Sequence, residues 1–262
     1  MTTESALSVG LSVDWLALRE PADAEARSVA LLGELSPAGP LVVHDLGSGT
    51  GSMLRWLAPR LPGPQHWTLY DRLPGLLDVA RRTTTVDSSG TPVDISATAR
   101  DITTLTPADL DGVSLVTASA VLDMLTTDEL TAVVAACAGA GCPVLWTLTV
   151  VGEISLVPAD ARDSAHAAAF NAHQRQGGRL GPSASSVAAR LFRRHGYAVT
   201  VRPSPWRLGA GNRALAEEWL RGWVDAAVEQ DPALSGDYLA HRLTSPFEAV
   251  VGHEDLLALP AT

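Results

Sequence analysis

The chain has 262 residues, a formal net charge of -10 and a pI of about 5.1, with 46% hydrophobic and 18% charged residues. That apolar content excludes a chain kept disordered by its charge, and the length fits one α/β domain with additions. The acidic balance argues against the basic footprint that a phosphate backbone needs, so no nucleic-acid partner is expected.

Residues 1–10, MTTESALSVG, lack a basic region followed by an apolar core, so no signal peptide is expected. No apolar run of about 18 residues predicts a membrane span, and a cytoplasmic protein is the default expectation. Cys137 and Cys142 have no His or Cys cluster beside them, so no metal is expected.

In chain order, residues 12–35 form a helical lead-in in which Pro21 starts a second helix, and Pro37, Gly39 and Pro40 end it. Strands are predicted at 41–46, 66–71, 93–102, 113–119 and 143–151, separated by helices at 52–61, 73–82 and 128–140. Thr126 or Thr127 caps the last of these. This alternation predicts a parallel sheet with helices on both faces, whose ligands sit beyond the carboxyl ends of the strands. From 152 onward the expected order changes. EISLVP forms a short added strand, and helices span 159–176, 183–196, 213–230 and a stretch near 233–243. Strands follow at 197–203 and 247–253. Trp219 and Trp223 are read as core on the helix 213–230.

The segment VVHDLGSGTGSML (42–54) carries the strongest signal. A strand ends near Asp45, Gly47, Gly49 and Gly51 alternate, and a helix follows at once. Glycines let the chain turn tightly and let a ligand approach the backbone, while the helix start offers unpaired N–H groups. Asp71 ends the next strand about 20 residues later, where a carboxylate accepts the ribose hydroxyls of an adenosine. The alternatives are a plain strand-to-helix turn with a solvated Asp71, or a dinucleotide site. The latter expects G-x-G-x-x-G, and a phosphate loop expects G-K-[ST].

The ordered set DLGSGTG, YD, ARDI and TASAVLDML resembles the successive motifs of class I, Rossmann-like methyltransferases that use S-adenosylmethionine. The resemblance covers roughly residues 41 to 151. It implies a seven-stranded, mostly parallel sheet whose last strand is antiparallel, which FEAVVGH supplies, with extra helices at the N-terminus and in the C-terminal half. It divides one methyltransferase domain into a lead-in (1–40), a cofactor half (41–151) and a substrate half (152–262). It implies that Asp45, Gly47, Ser48 and Gly49 bind the cofactor around its methionine part, with Gly51 permitting the turn. Asp71 would hold the ribose, Arg72 and Leu73 would lie against the adenine, and Asp101 and Ile102 would face its amino group and ring. Ser119 and Ala120 would stand near the sulfonium and the acceptor. Arg19, on a lead-in helix, would fork onto the cofactor's carboxylate; its alternative partners are Glu20 and Asp23.

Methyl transfer is an in-line displacement that depends on proximity, and a base is needed only where the acceptor must lose a proton. Asp163, His166, Phe170 and His173 are spaced 3, 4 and 3 apart, which puts them on one helical face. His166 or His173 is the expected base. Asp123, Thr149, Phe170 and Asn171 are further candidates for the substrate wall, and Trp206 in RPSPWRLG for a clamp. The alternatives are a solvated polar stripe on that helix and a rigid proline-fixed loop around Trp206. A small-molecule acceptor is favoured, because no N-P-P-[YFW] motif follows the fourth strand and no Pro-Cys nucleophile is present. Two other readings stay open: an enzyme that uses the bound sulfonium without methylating, and a non-catalytic cofactor-binding regulator.

Overall fold

The computed structural model describes residues 12–35, 37 and 39–261. The reading of residues 1–10 as free of a signal peptide lies outside them. α1 (Val13–Ala26) comes first, capped by Ser12, whose hydroxyl accepts the Trp15 N–H at 3.1 Å. Pro21 lies inside this helix rather than starting a second one, at the cost of one intrahelical hydrogen bond. Ala22 packs into the core cluster under α7, and Asp23 pairs with Arg19 and accepts the Trp206 indole N–H, contacts that hold the helix beyond the proline.

Next come β1 (Leu41–Leu46), α2 (Ser52–Leu57), β2 (Gln65–Asp71), α3 (Pro74–Ala80), β3 (Asp94–Ala99), β4 (Leu115–Ser119), α4 (Thr127–Gly139) and β5 (Val144–Val157). Thr126 and Glu129 cap α4 reciprocally. These strands pair in parallel in the spatial order β3-β2-β1-β4-β5. The chain moves outward from β1 to β3 and then crosses to the other side of β1. The switch point therefore lies between the carboxyl ends of β1 and β4, where such sheets bind ligands.

The second half adds α5 (Asp163–His173), α6 (Ala184–Arg194), β6 (Ala198–Pro203), β7 (Trp206–Leu208), α7 (Arg213–Gln230), α8 (Tyr238–Leu243) and β8 (Glu248–Leu259). β8 runs antiparallel between β5 and β6, as the expected last strand does. Among the described residues the sheet has eight strands rather than seven, because RPSPWRLG contributes β7, which continues the edge of β8 after a break at Pro203–Pro205. EISLVP is not a separate strand; β5 runs through it with two register shifts. Leu148 (φ 57) and Gly152 (φ 76) take left-handed backbone there, so the long strand bends instead of ending.

The sheet buries apolar residues on both faces. Leu46, Val116, Trp146 and Phe192 pack on one, and Val43, Leu54, Trp67 and Leu145 on the other. A third cluster lies under α7, where Trp219 and Trp223 stack with ring centroids 5.6 Å apart. Among the described residues, no helix is long and apolar enough to cross a membrane.

Asp255 ties several of these parts together. Its fully buried carboxylate accepts the Leu148 N–H at the β5 bend (2.8 Å), the Ser28 N–H after α1 (2.7 Å) and the Ser204 hydroxyl (2.6 Å). Asp255→Ala leaves two buried donors and one partly buried donor unpaired and is expected to cost about 3 kcal/mol, read as a lowered urea midpoint at unchanged slope.

Two buried histidines set an acid limit on stability. Burial lowers His44 to about 4 and His253 to about 3. The unfolded chain binds protons near pH 6.5 that the folded chain refuses. Stability from these sites is complete above that value and is lost as pH falls through it toward 4 and 3. The urea midpoint is expected to drop between pH 6.5 and 4, and to drop less in His253→Gln.

Candidate active site

The loop after β1 needs glycine for steric reasons. Gly47, Gly49 and Gly51 have φ of +67°, +53° and +86°. A Cβ on Gly47 would also come within 3.0 Å of Val121 Cγ2. Gly51 is the N-cap of α2 and faces Arg55 and Ala80, so it serves the turn and does not line the cavity described below. The loop is fastened to the end of β2. Ser48 N–H donates to the Tyr70 carbonyl (2.8 Å), and Gly49 N–H to Asp71 Oδ2 (2.9 Å). Asp71 Oδ1 accepts the Leu73 N–H (2.9 Å), so one carboxylate holds two loops in register.

Asp45 lies beneath this loop and is 1% exposed. Oδ1 accepts the Thr117 hydroxyl at 2.7 Å, while Oδ2 is buried without a partner among the described residues. Burial pushes this carboxyl up to about 6. Arg27, 2% exposed, stands nearby and donates Nη2 to Ser52 Oγ (2.9 Å) and Ser119 Oγ (3.0 Å). Burial lowers its pKa, but a guanidinium stays charged inside a protein, so its burial is a cost the fold carries.

A cavity of about 880 Å³ opens over the switch point. Leu16, Arg19 and Asp23 of α1 roof it, and a Glu20–Arg55 ion pair (2.6 Å and 2.5 Å) fastens α1 to α2. Of the residues expected at the cofactor, Arg19, Asp45, Gly47, Ser48, Gly49, Asp71, Arg72, Leu73, Ile102, Ser119 and Ala120 line this one cavity. Ala120 takes left-handed backbone (φ 54), an uncommon conformation for a residue with a Cβ. Arg19 is already paired with Asp23 (Nε–Oδ2 3.0 Å), one of its two alternative partners, although the pair is sheltered rather than at the surface. Asp101 does not line the cavity. It accepts the Thr103 N–H (2.9 Å) and hydroxyl (2.7 Å) and pairs with Arg72 at 3.5 Å, as a turn-capping side chain does.

The expected polar wall on α5 is not a single wall. His173 lines the cavity, with Nε2 3.4 Å from Glu229 Oε2 on α7. His166 does not. It is 1% exposed, stacks on Tyr238 at 3.9 Å, and places Nδ1 3.0 Å from the Arg162 carbonyl. It is a core histidine, because that face of α5 packs against α7 and α8 rather than toward the strand ends. Asp163 bonds Tyr238 (2.6 Å) and Arg242, and Phe170 packs against the third core cluster. Asn171 turns to the β5 bend and donates to the Gly152 carbonyl at 2.9 Å. Thr149 is buried within β5.

Trp206 is no clamp. Its Nε1 donates to Asp23 Oδ1 (3.0 Å) and its ring lies under the Arg19 guanidinium (4.7 Å), so it supports the roof from behind. Asp123 does not line the cavity, although it lies within the fields of Arg19 and Arg179, which do; burial raises its pKa. Sequence reasoning missed Arg27, Met124, Leu125, Arg179 and Glu229.

Residues 43–143 match the family model for a methyltransferase domain. Among solved structures, the chain is similar in fold to the cyclopropane synthase MmaA2 from Mycobacterium tuberculosis. That match has a TM-score of 0.54 and 13% identity, over 95% of this chain and 94% of that one. Similar values hold for the mycolic acid cyclopropane synthase CmaA1 complexed with SAH, with a TM-score of 0.51 and 12% identity over 95% and 94% of the two chains. A Haemonchus contortus N-methyltransferase, in complex with phosphomonomethylethanolamine and S-adenosylhomocysteine, has a TM-score of 0.51 and 12% identity. It covers 100% of this chain and 61% of that one. By sequence, the chain matches no curated protein.

The fold and the glycine loop with its paired acids define a nucleoside-binding enzyme of the doubly wound type. The matched segment, residues 43–143, and the fold are those of class I, Rossmann-like methyltransferases that use S-adenosylmethionine. The residues fit that cofactor: the loop is shaped by glycines, and the buried Asp45 Oδ2 and Ser48 Oγ lack partners beside the cavity they line.

Proposed function

We propose that this enzyme methylates a small molecule held in the part of the cavity beyond Ser119 and Ala120, and that His173 acts as the base for its nucleophile. The cavity supports this reading: besides the residues expected at the cofactor, it is lined by Val121, Met124 and Leu125 after β4 and by His173, Gln176 and Glu229. S-adenosylmethionine supplies the methyl group as a sulfonium when bound. The chain's own residues do the rest. Asp45 and the glycine loop hold the cationic methionine end, and Asp71 accepts the ribose hydroxyls. Arg72, Leu73 and Ile102 flank the base, and α1 closes over the cofactor to exclude water.

Glu229 Oε2 lies 3.4 Å from His173 Nε2 and favours a proton on that nitrogen, which leaves Nδ1 as the one that takes a proton from the acceptor. An oxygen or nitrogen nucleophile that reaches this wall then loses its proton to His173 as it becomes a stronger donor.

The test is formation of S-adenosylhomocysteine together with a methylated product across a panel of hydroxylated and amino-bearing small acceptors. His173→Gln is expected to lower kcat/KM at least about hundredfold and leave S-adenosylhomocysteine affinity within about twofold. Cofactor consumed without a methylated product would replace this reading with a sulfonium-assisted reaction of another kind. Tight cofactor binding with no turnover would favour a regulator.

A further inference from the structure

Four arginines line the cavity, and three have a carboxylate partner: Arg19 with Asp23 (3.0 Å), Arg100 with Asp109 (2.7 Å) and Arg72 with Asp101 (3.5 Å). His173 has Glu229. Arg179 differs. Its Nε donates to the Gln176 carbonyl (2.9 Å) and its Nη2 to the His173 carbonyl (3.3 Å), and among the described residues it has no carboxylate partner. Its Nη1 makes no hydrogen bond there and is not buried, so it faces accessible space.

This cation is held in place rather than trailing in solvent. Arg179 bridges to Thr126, and the next residue, Leu180, donates its N–H to the Leu125 carbonyl at 2.8 Å. Gly177 and Gly178, with φ of 66° and 79°, turn the chain into that position. Two backbone carbonyls orient the guanidinium by one edge, and the outer edge stays free as a planar donor pair that matches a carboxylate. The anchor strip 125–126 lies past the turn that follows β4, which is the acceptor's side of the cavity.

We infer that Arg179 binds a carboxylate of the acceptor, so that the substrate is a small organic acid whose nucleophile lies by the neighbouring His173. This rests on reading the cavity as a cofactor and acceptor site. A monoanion fits better than a phosphomonoester, because among the described residues Arg179 is the one cavity-lining cation without a carboxylate within ion-pair distance, and Glu229 lines the same cavity to repel a second negative charge. The cofactor's own carboxylate is the rival occupant of Arg179.

The experiment titrates benzoate, benzamide and phenyl phosphate into protein saturated with S-adenosylhomocysteine, for wild type, Arg179→Gln and Arg179→Lys. Wild type is expected to bind benzoate at least tenfold more tightly than benzamide. Arg179→Gln is expected to lose that preference, and Arg179→Lys to retain part of it. All three are expected to bind S-adenosylhomocysteine within twofold of one another, which also reports that the variants are folded. Four results would overturn the inference: no benzoate binding by wild type, equal affinity for benzoate and benzamide, tighter binding of phenyl phosphate, or a tenfold loss of S-adenosylhomocysteine affinity in Arg179→Gln. The last would assign Arg179 to the cofactor. Failure of wild type to bind S-adenosylhomocysteine at all is a different result and would sink the cofactor reading itself.

Discussion

Asp71→Ala is expected to weaken S-adenosylhomocysteine binding at least about hundredfold, roughly 2.8 kcal/mol, in calorimetric titration. Two effects add. Each oxygen of Asp71 already accepts a loop N–H, from Gly49 at 2.9 Å and from Leu73 at 2.9 Å. A carboxylate has about four acceptor positions, so two remain for ribose hydroxyls. Alanine removes those acceptors and also unfastens the glycine loop from β2, so the site is both weaker and less organised. Asp71→Asn keeps one oxygen, and its amide nitrogen cannot accept, so an intermediate loss is expected. Asp71 is only partly buried, and its replacement should cost folding no more than about 1–2 kcal/mol. Unchanged cofactor affinity in Asp71→Ala would remove this residue from the site.

The parts of the candidate site nearest the strand ends were legible as a cluster because local sequence determines their placement. Left-handed backbone at Gly47, Gly49 and Gly51, a strand before and a helix after are all written within a dozen residues. Asp71 was legible because β1 and β2 pair in parallel register, Leu46 opposite Tyr70, which brings the two strand ends together. The antiparallel last strand followed from the resemblance and holds in the structure.

The substrate side was legible only in part, since helical spacing tells which residues share a face and not what that face meets. His166 and His173 sit seven residues apart on α5, yet one is buried against Tyr238 and the other meets Glu229. The difference comes from the packing of α5 on α7 and α8, a long-range contact that periodicity does not encode. Trp206 failed as a clamp for a related reason. Its indole N–H is taken by Asp23, which lies 183 residues earlier in the chain. Arg27 left no local signal, because nothing around it distinguishes a buried arginine from an exposed one. Arg179 carries no local signal either, because it follows two glycines outside any periodic element.

The second large effect concerns Asp45, where binding and folding are expected to pull in opposite directions. Burial raises this carboxyl from the ordinary aspartate value of 3.8 to about 6, with Thr117 and Arg27 acting the other way. A raised acid favours the folded state at low pH. That stability is fully present below 3.8 and is lost as pH rises through about 6, in the sense opposite to the histidines. At pH 7.5 the ionised group therefore costs the cofactor-free fold up to about 3 kcal/mol, at roughly 1.4 kcal/mol per pKa unit. A cationic ligand end would supply what Oδ2 lacks, and binding would then require the ionised form. Cofactor affinity is expected to fall about tenfold for each pH unit below about 6, with one proton released on binding. Asp45→Asn removes the charge and keeps the shape. Without cofactor at pH 7.5 it should melt above wild type. With saturating S-adenosylmethionine it should melt below wild type, and its weak binding should be flat between pH 5 and 7. A crossing of the two melting curves on adding cofactor separates a carboxylate kept for its ligand from one kept for the fold. A variant less stable than wild type in both conditions would show that Asp45 serves the fold alone.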